Sequence, residues 1–206
     1  MEASGKPNSI RQSSASASVT GFDRLDKKID GARRSAGHPY VLSIRIESWT
    51  RLHALARHAW LDASDTRLRS LRSGTEHRLR VLLRNLERGT MANHLLRNIK
   101  ALVLGGLFLD SPTGNKSLAL GMKLLKRELA EQVLDDGCHF ERSPMYHVSI
   151  LNDVLDIGEA LKRSGKDLPM QLLRSMERMT AFLARVRHPD GEIREAWEAL
   201  GVVDED

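Results

Sequence analysis

Polar residues of types that carry out chemistry are concentrated in two places along this chain of 206 residues. The first is the pair Asn93–His94, which follows a Gly-Thr break and opens an apolar stretch. The second is the segment Glu128–His147, which contains His139, Glu141, Arg142, Tyr146 and His147. Functional groups are usually presented on loops of a rigid scaffold, and few connections between helices carry so many titratable side chains. We treat the two segments as partners in one candidate site.

The residue types in these segments fit the transfer of a proton next to a carboxylate. Tyr146 falls in the first turn of a predicted helix beside arginine and histidine, where positive charge stabilises a phenolate. Asn93 is an uncharged donor suited to a carboxylate that must become less negative. A structural interpretation is equally open from residue types alone: Asn93 caps its helix, Tyr146 packs against it, and the charged loop faces solvent.

Several other kinds of site are excluded by the absence of their motifs. The sequence contains no GxxxxGK[ST] phosphate loop, no Rossmann glycine fingerprint, no HExxH and no GxSxG. Cys138 is the only cysteine, so neither an internal disulfide nor a cysteine-rich metal site is expected. We predict no metal and no cofactor.

Apolar residues that recur every three or four positions predict six helices, over about 40–59, 66–86, 91–108, 116–134, 144–163 and 169–187. The predicted inward residues of the first helix are Val41, Ile44, Trp49, Leu52, Leu55 and Ala59, and those of the fifth are Val148, Leu151, Leu155 and Leu161. Gly74 is a point at which the second helix could break, and residues 110–115 have loop composition. The pair Gly105–Gly106 indicates close helix packing, since a glycine inside a helix costs roughly 1 kcal/mol relative to alanine.

Long helices joined by short turns predict an all-α fold. Sequential neighbours should pack antiparallel, and no alternating strand pattern is present. The expected architecture is a set of antiparallel helical hairpins side by side, as in an α/α toroid or a solenoid. A short array of this kind has open ends, through which we expect the chain to self-associate.

The charge distribution favours a polyanionic partner. The formal net charge is +5, and arginines are dense between Arg45 and Lys100. A basic half of this kind suits an acidic polysaccharide or nucleic acid, although arginines also simply solvate outer helix faces. Aromatic residues make up 4% of the chain, too few for a base-stacking platform, so nucleic acid is the less favoured partner.

The chain ends differ in composition from its middle. Residues 1–38 are rich in Ser, Ala and Gly without apolar periodicity, which predicts a disordered or loosely packed tail, and residues 194–206 form an acidic C-terminal tail. The start lacks the apolar core of a signal peptide, and no apolar run reaches the ~18 residues of a membrane span. As written, the sequence predicts a cytoplasmic protein with no membrane association.

The run EQVLDDGCHFERSPMYH resembles the heparinase II/III-like polysaccharide lyases, in whose helical domain a segment of this pattern is typical. HPYVLSIRIESW resembles the beginning of that domain. NHLLRNIKALVLGGLFL resembles its Asn-His helix with paired glycines, and MTAFLARVRHPDGEI resembles a later helix and turn. The resemblance covers roughly residues 39–193, which we expect to form a partial toroid domain.

The resemblance implies an enzyme that cleaves uronate-containing chains, such as heparan sulfate or alginate, by β-elimination. In this family an N-terminal α/α toroid is joined to a C-terminal β-sandwich. The family's carboxylate-neutralising asparagine matches Asn93, its accompanying histidine matches His94, and its catalytic tyrosine matches Tyr146. Arg142 would clamp acidic groups of the substrate, and Glu141 would orient Arg142, bind sugar hydroxyls or only shape the loop. His139 and His147 are expected to assist in substrate binding.

The resemblance fails at both ends of the sequence. The toroid helices that precede the matching region, and the β-rich part that supplies a second catalytic group, have no counterpart here. We expect a truncated and catalytically incomplete lyase. The alternatives are a non-catalytic helical module that binds acidic polysaccharide or another polyanion, and a plain helical interaction protein or nucleic-acid binder that uses its basic tail.

Overall fold

A computed structural model describes residues 37–59, 61–87 and 92–186. The side chains of residues 59, 92 and 93 are not described. Nearly all of the N-terminal segment that we predicted to be loosely packed, and the whole acidic C-terminal segment, lie outside the described residues. The predicted domain limits, residues 39–193, are therefore not tested and stay a prediction.

The described residues form six α-helices and no β-strand beyond one isolated bridge. They are α1 (Pro39–Ala59), α2 (Thr66–Arg84), α3 (Ala92–Phe108), α4 (Pro112–Gln132), α5 (Pro144–Arg163) and α6 (Met170–Val186). Six helices at closely similar positions were predicted, and the all-α class is confirmed. Within the described part of the chain, no helix is both long and apolar enough to cross a membrane.

The helices form two layers. The odd layer consists of α1, α3 and α5, in which α3 packs between the other two. The even layer consists of α2, α4 and α6, with α4 in the middle. Each odd helix also packs on the even helix that follows it in the chain, so the repeating unit is an antiparallel hairpin. This is the predicted arrangement of an α/α toroid, and its apolar core lies between the two layers.

Two helix boundaries differ from the sequence prediction for local reasons. α4 begins at Pro112 rather than near Lys116, because the Ser111 side chain accepts a hydrogen bond from the amide of Gly114 and proline is favoured at a first helical position. α2 continues through Gly74 without a break. A Cβ added at Gly74 would lie 2.2 Å from Trp49 Cζ3, so this glycine makes room for the indole ring.

The glycine pair in α3 serves the packing that the sequence indicated. A Cβ at Gly105 would lie 2.8 Å from Leu79 in α2, and a Cβ at Gly106 would lie 2.7 Å from the backbone nitrogen of Leu118 in α4. α3 therefore approaches both neighbouring even helices closely, which places it at the centre of the array.

The predicted inward faces of α1 and α5 are partly wrong. In α1, Ile44, Leu52 and Leu55 are exposed, while the buried residues include Leu42, Ser43, Ile46 and Ala56. In α5, Leu155 is exposed, whereas the polar residues His147 and Asp153 are buried. The cause is the same in both helices: the buried face of the odd layer contains polar side chains, so the apolar residues alone do not mark it.

Asp153 belongs to a charge network that crosses the odd layer. Lys100 of α3 lies 2% exposed at its centre. Its Nζ is 2.9 Å from Asp153 Oδ1 and 2.5 Å from Asp156 Oδ2, both in α5, and 3.2 Å from Glu47 Oε1 in α1. Arg97 adds contacts of 2.9 Å to Asp153 and 3.5 Å to Glu47. The network therefore joins all three odd helices.

Lys100 is charged in this network despite its burial. Desolvation alone would lower its pKa, but the hydrogen bonds that Lys100 donates to Asp156 and Asp153, with the negative charges of Asp153 and Glu47, outweigh that effect and raise the pKa above its usual value. The ammonium group thus neutralises carboxylates that would otherwise repel one another across the layer.

Replacement of Lys100 by methionine, Lys100→Met, is expected to cost about 3 kcal/mol of unfolding free energy, because Glu47 and Asp153 keep their buried charges without their main counter-ion. Urea denaturation followed by circular dichroism measures the loss. The matched control is Arg163→Met. Arg163 pairs with Glu159 on the surface, where the two side chains are 78% and 59% exposed, so its loss should cost at most about 0.5 kcal/mol. Equal losses in the two variants would contradict a central role for Lys100.

Candidate functional site

The helices of the odd layer run in the same direction, and their contacts define a register. In the α1–α3 pair, Tyr40 contacts His94 and Ser43 contacts Asn98. In the α3–α5 pair, residue 97 contacts 153 and residue 100 contacts both 153 and 156, so the contacting residues differ by 53 to 56 positions (153 − 100 and 153 − 97). In each pair, the residue numbers of the two helices increase in the same direction along the line of contacts, which means that the helices are parallel. The N-termini of α1, α3 and α5 therefore lie at the same end of the layer.

This register brings the two candidate segments to the same end. Asn93 and His94 lie in the first turn of α3, and Tyr146 lies in the first turn of α5, where it is partly buried. A difference of 53 to 56 positions places residue 93 level with about residues 146 to 149, so Tyr146 lies at this level or up to about one turn further toward the N-terminal end. The backbone N–H groups and the positive ends of the helix dipoles also point this way, which favours an anion.

His94 is held by a carboxylate that the sequence did not identify. Its Nδ1 lies 3.1 Å from Oε1 of Glu87, whose side chain is only 8% exposed. The Tyr40 ring packs on the imidazole, with centroids 4.8 Å apart and a 35° tilt. His38 approaches from the other side, with its Nε2 3.6 Å from the same carboxylate oxygen.

Glu87 is in turn fixed by a buried amide. Asn98 Nδ2 donates to Oε2 of Glu87 at 3.2 Å and to Ser43 Oγ at 3.2 Å, while the backbone N–H of Glu87 donates to Asn98 Oδ1 at 3.1 Å. The Ser43 hydroxyl donates to the carbonyl oxygen of Pro39. These bonds determine which way the Asn98 amide faces, and both oxygens of Glu87 act as acceptors.

The loop between α4 and α5 is a compact turn supported by α6. Val133 and His139 form an antiparallel bridge, and the amide of Phe140 donates to the carbonyl of Gln132. Gly137 adopts φ +92°, and a Cβ there would lie 2.2 Å from the carbonyl oxygen of Arg178 in α6, so only glycine fits. The Arg178 side chain returns a hydrogen bond to the carbonyl of Leu134.

Both histidines of the segment are inside this structure. His139 is 0% and His147 1% exposed. The amide of His139 donates to His147 Nδ1 at 3.2 Å, so the His147 proton is on Nε2, which donates to the carbonyl of Met179 at 3.0 Å. His139 Nε2 bonds Gln132 Oε1 at 3.1 Å, while the Gln132 amide donates to Glu128 Oε2 at 2.7 Å. The chain of hydrogen bonds fastens α4, the loop, α5 and α6 together.

Burial keeps these groups uncharged. Desolvation lowers the pKa of His139 to about 4, assisted by the neighbouring His147, and desolvation also lowers the pKa of His147. Burial raises the pKa of the Cys138 thiol to about 11. The sequence assigned His139 and His147 to substrate binding. Because neither ring reaches solvent, any effect they have on a substrate acts through the loop that they hold.

The charged residues of the loop are arranged differently. Arg142 is exposed and has a positive φ of 49°, a conformation that costs a non-glycine residue about 1 kcal/mol or more. Glu141 is partly buried, and its Oε2 has no hydrogen-bond partner among the described residues. The structure shows no ion pair between Glu141 and Arg142, and both residues lie in the segment just before α5, whose first turn contains Tyr146.

Sequence reasoning missed Tyr40, Glu87 and Asn98. Tyr40 was placed at the start of the first predicted helix and Asn98 within the third, while Glu87, which follows the second, was assigned no role. The parallel pairing of α1 with α3 brings Tyr40 to His94, and a pairing between helices that are separated by another helix cannot be seen in local sequence spacing. Glu87 reaches His94 from the segment between α2 and α3, where Asn98 of α3 holds its carboxylate. Within the part of the chain that is described, no cluster of three or more His, Cys, Asp or Glu side chains could hold a metal ion.

The fold and the sequence together define the class of protein. The model of the family described as heparinase II/III N-terminus matches residues 26–197. The chain belongs to this family, which confirms the resemblance seen in the sequence.

Curated relatives agree over a smaller region. The heparin-sulfate lyases of Bacteroides stercoris and Pedobacter heparinus are 31% and 34% identical to the chain over 105 and 104 residues. Each match covers 48% of this chain but only 15% of the relative, so the chain spans a small part of the lyases that it matches. The FtsZ-localized protein C of Caulobacter vibrioides is 33% identical over 78 residues, which is 38% of this chain and 14% of that protein.

A solved structure has the same helical architecture. A heparinase III with methylated lysines superposes with a TM-score of 0.66 and 25% sequence identity, over 84% of this chain and 29% of that one. The two-layered array described above therefore corresponds to a part of a larger heparinase fold.

The buried histidines predict a loss of stability in acid. Below pH 6.5 the unfolded chain protonates His139, while the folded loop does not until about pH 4. The contribution of His139 to the free energy of unfolding is therefore fully present above pH 6.5. It is lost as the pH falls from 6.5 to 4, by up to roughly 3 kcal/mol. Urea midpoints measured at pH 7 and pH 5 test this, with His139→Gln expected to reduce the difference and His58→Gln, at an exposed position, expected to leave it unchanged. An equal pH dependence in all three proteins would contradict the assignment.

Proposed function

We propose that the N-terminal end of the odd layer is one side of a polysaccharide lyase site that acts on uronate-containing chains by β-elimination. The observation that carries this proposal is the parallel register, because it brings Asn93 and His94 in α3 to the same end as Tyr146 in α5. Membership of the heparinase II/III family and the names of the two lyase relatives support the choice of an acidic polysaccharide as substrate.

The proposed chemistry assigns each residue type a task. A base removes the proton on C5 of the uronate, the bond between C4 and the glycosidic oxygen breaks, a C4–C5 double bond forms, and an acid protonates the departing oxygen. Loss of the C5 proton places negative charge on the adjacent carboxylate. Asn93 and His94 are proposed to donate hydrogen bonds to that carboxylate, as donors of an oxyanion hole do.

Tyr146 is proposed to transfer a proton at the reacting bond. As an acid it would protonate the glycosidic oxygen, and as a base it would remove the C5 proton. Its position in the first turn of α5 places it at the positive end of the helix dipole, which stabilises the phenolate form during the reaction. Arg142, which is exposed beside it, is proposed to hold another acidic group of the polysaccharide.

The described residues are proposed to form one side of the site and not all of it. The chain spans about 15% of the length of the lyases it matches, and a second proton-transferring group is part of the proposed reaction. Binding of an acidic oligosaccharide is accordingly the first property to measure, and turnover the second. We name alginate, heparan sulfate and hyaluronan as the substrate classes to be compared.

Substitution of Tyr146 by phenylalanine is expected to reduce formation of the unsaturated uronate by at least about 100-fold, since proton transfer by a positioned side chain contributes roughly this much or more. Ultraviolet absorbance of the product measures turnover, and the helical circular dichroism of the variant must match that of the parent. Activity that survives Tyr146→Phe would remove the tyrosine from the mechanism. If the parent chain forms no product from any of the three polysaccharides, the proposal that this chain alone is an active lyase is contradicted.

Loss of the amide at position 93 is expected to weaken oligosaccharide binding. Asn93→Ala should raise the Kd about 10- to 150-fold, because a hydrogen bond to a charged group is worth roughly 1.5 to 3 kcal/mol. Asn152→Ala, at an exposed position of α5, is the matched control and should bind as the parent does. Isothermal titration calorimetry supplies both values. Binding that is equally tight to DNA and has the same salt dependence would instead indicate non-specific attraction to the arginines.

A further inference from the structure

The hydrogen bonds around His94 determine which of its ring nitrogens carries a proton. Glu87 uses both carboxylate oxygens as acceptors, Oε1 toward His94 Nδ1 and Oε2 toward Asn98 Nδ2. A carboxylate has no proton to donate, so His94 must donate from Nδ1. Nε2 is then the ring nitrogen left for a ligand, and it makes no hydrogen bond to any described residue.

This tautomer has a consequence for an acidic sugar. In the neutral ring with the proton on Nδ1, Nε2 is a bare acceptor, and a uronate carboxylate offers only acceptors. The two would repel. His94 can donate to the substrate carboxylate only as an imidazolium, with Glu87 balancing its charge.

The geometry points to Glu87 as a positioning residue that forces His94 to take up a proton when a uronate binds. The inference rests on the proposed function, since it concerns how the same site recognises the carboxylate. The titratable groups that contact His94 in the described structure are Glu87 from the segment after α2, Tyr40 from α1 and His38 just before α1. His38 also approaches Glu87, at 3.6 Å, but its side chain is 50% exposed, so solvent screens the interaction.

The hydrogen bonds around Glu87 mean that the substitution Glu87→Gln should change the tautomer of His94. Asn98 Oδ1 is occupied by the backbone N–H of Glu87, so Asn98 Nδ2 must continue to face position 87. A glutamine there is expected to turn its carbonyl oxygen toward Asn98 and its NH₂ group toward His94 Nδ1. The neutral ring would then carry its proton on Nε2 and could donate to a carboxylate without taking up a proton.

The first measurement is made on the ligand-free protein. Long-range ¹H–¹⁵N spectra of the histidine rings at alkaline pH should show His94 with Nδ1 protonated, and in Glu87→Gln with Nε2 protonated. Glu76→Gln is the matched control, because Glu76 pairs with Arg80 at the surface of α2, and it should keep the parent tautomer. An Nε2-protonated ring in the parent would overturn the inference, whatever the activity of the protein.

The second measurement follows proton uptake. Binding of a non-sulfated oligosaccharide of alternating glucuronate and N-acetylglucosamine is measured by calorimetry in buffers of different ionisation enthalpy. The parent should take up close to one proton per bound chain above the His94 titration midpoint found by NMR, with a tenfold loss of affinity per pH unit. In Glu87→Gln both the uptake and the pH dependence should disappear, while Glu76→Gln should resemble the parent.

The outcomes separate the two proposals. Binding by the parent without proton uptake overturns the inference and leaves the proposed function intact. Binding that is lost at every pH in Glu87→Gln would mean that Glu87 only supports the fold, which also overturns it. If the parent does not bind the oligosaccharide, both the proposed function and the inference about proton uptake are contradicted. The tautomer of His94 is tested by NMR on the ligand-free protein and does not depend on that result.

Discussion

The buried charge network of the odd layer is the constraint on which the rest of the structure depends. Three helices that run in the same direction place their dipoles side by side, an arrangement that is electrostatically unfavourable without compensation. Lys100 and Arg97 of α3 reach carboxylates of α1 and α5 across the layer. Because each cation contacts side chains of both neighbouring helices, the network fixes their register as well as their spacing. A shift of one residue would separate the charges, so the first turns of the three helices are held at a common level.

Much of the fold could be predicted from the sequence, because six apolar periodic segments joined by short turns are enough to indicate helical hairpins. The phase of the buried faces could not be predicted in the odd layer. His147 and Asp153 occupy inward positions that apolar residues usually take, while Ile44, Leu52 and Leu155 are exposed. Helices that bury a charge network lose the contrast between an apolar face and a polar face on which such predictions depend.

The candidate site was predictable to the extent that its residues lie close together in sequence or in a recognisable motif. Asn93, His94 and Tyr146 were found in this way, and their roles stay predictions. Glu87, by contrast, ends one hairpin and acts on a residue that begins the next, so no local pattern connects it to His94. The burial of His139 and His147 could not be predicted either, because a polar loop sequence normally indicates exposure. These rings are buried because α6 packs against the loop. The cellular location, which nothing in the fold bears on, stays a prediction.

The way in which α6 supports the loop has a consequence for how the family can vary. α6 contacts the loop through backbone and side-chain groups. The carbonyl of Arg178 lies against Gly137 and the carbonyl of Met179 accepts from His147, while the Arg178 and Arg185 side chains donate to the carbonyls of Leu134 and Asp136. Carbonyl groups are common to every residue, so the two backbone contacts depend on where a residue lies in α6 and not on its side chain. The insertion or deletion of one residue turns every following carbonyl, and every following side chain, by about 100° around the helix axis. The loop should therefore be more sensitive to the length of α6 than to a change of any residue that makes only a backbone contact.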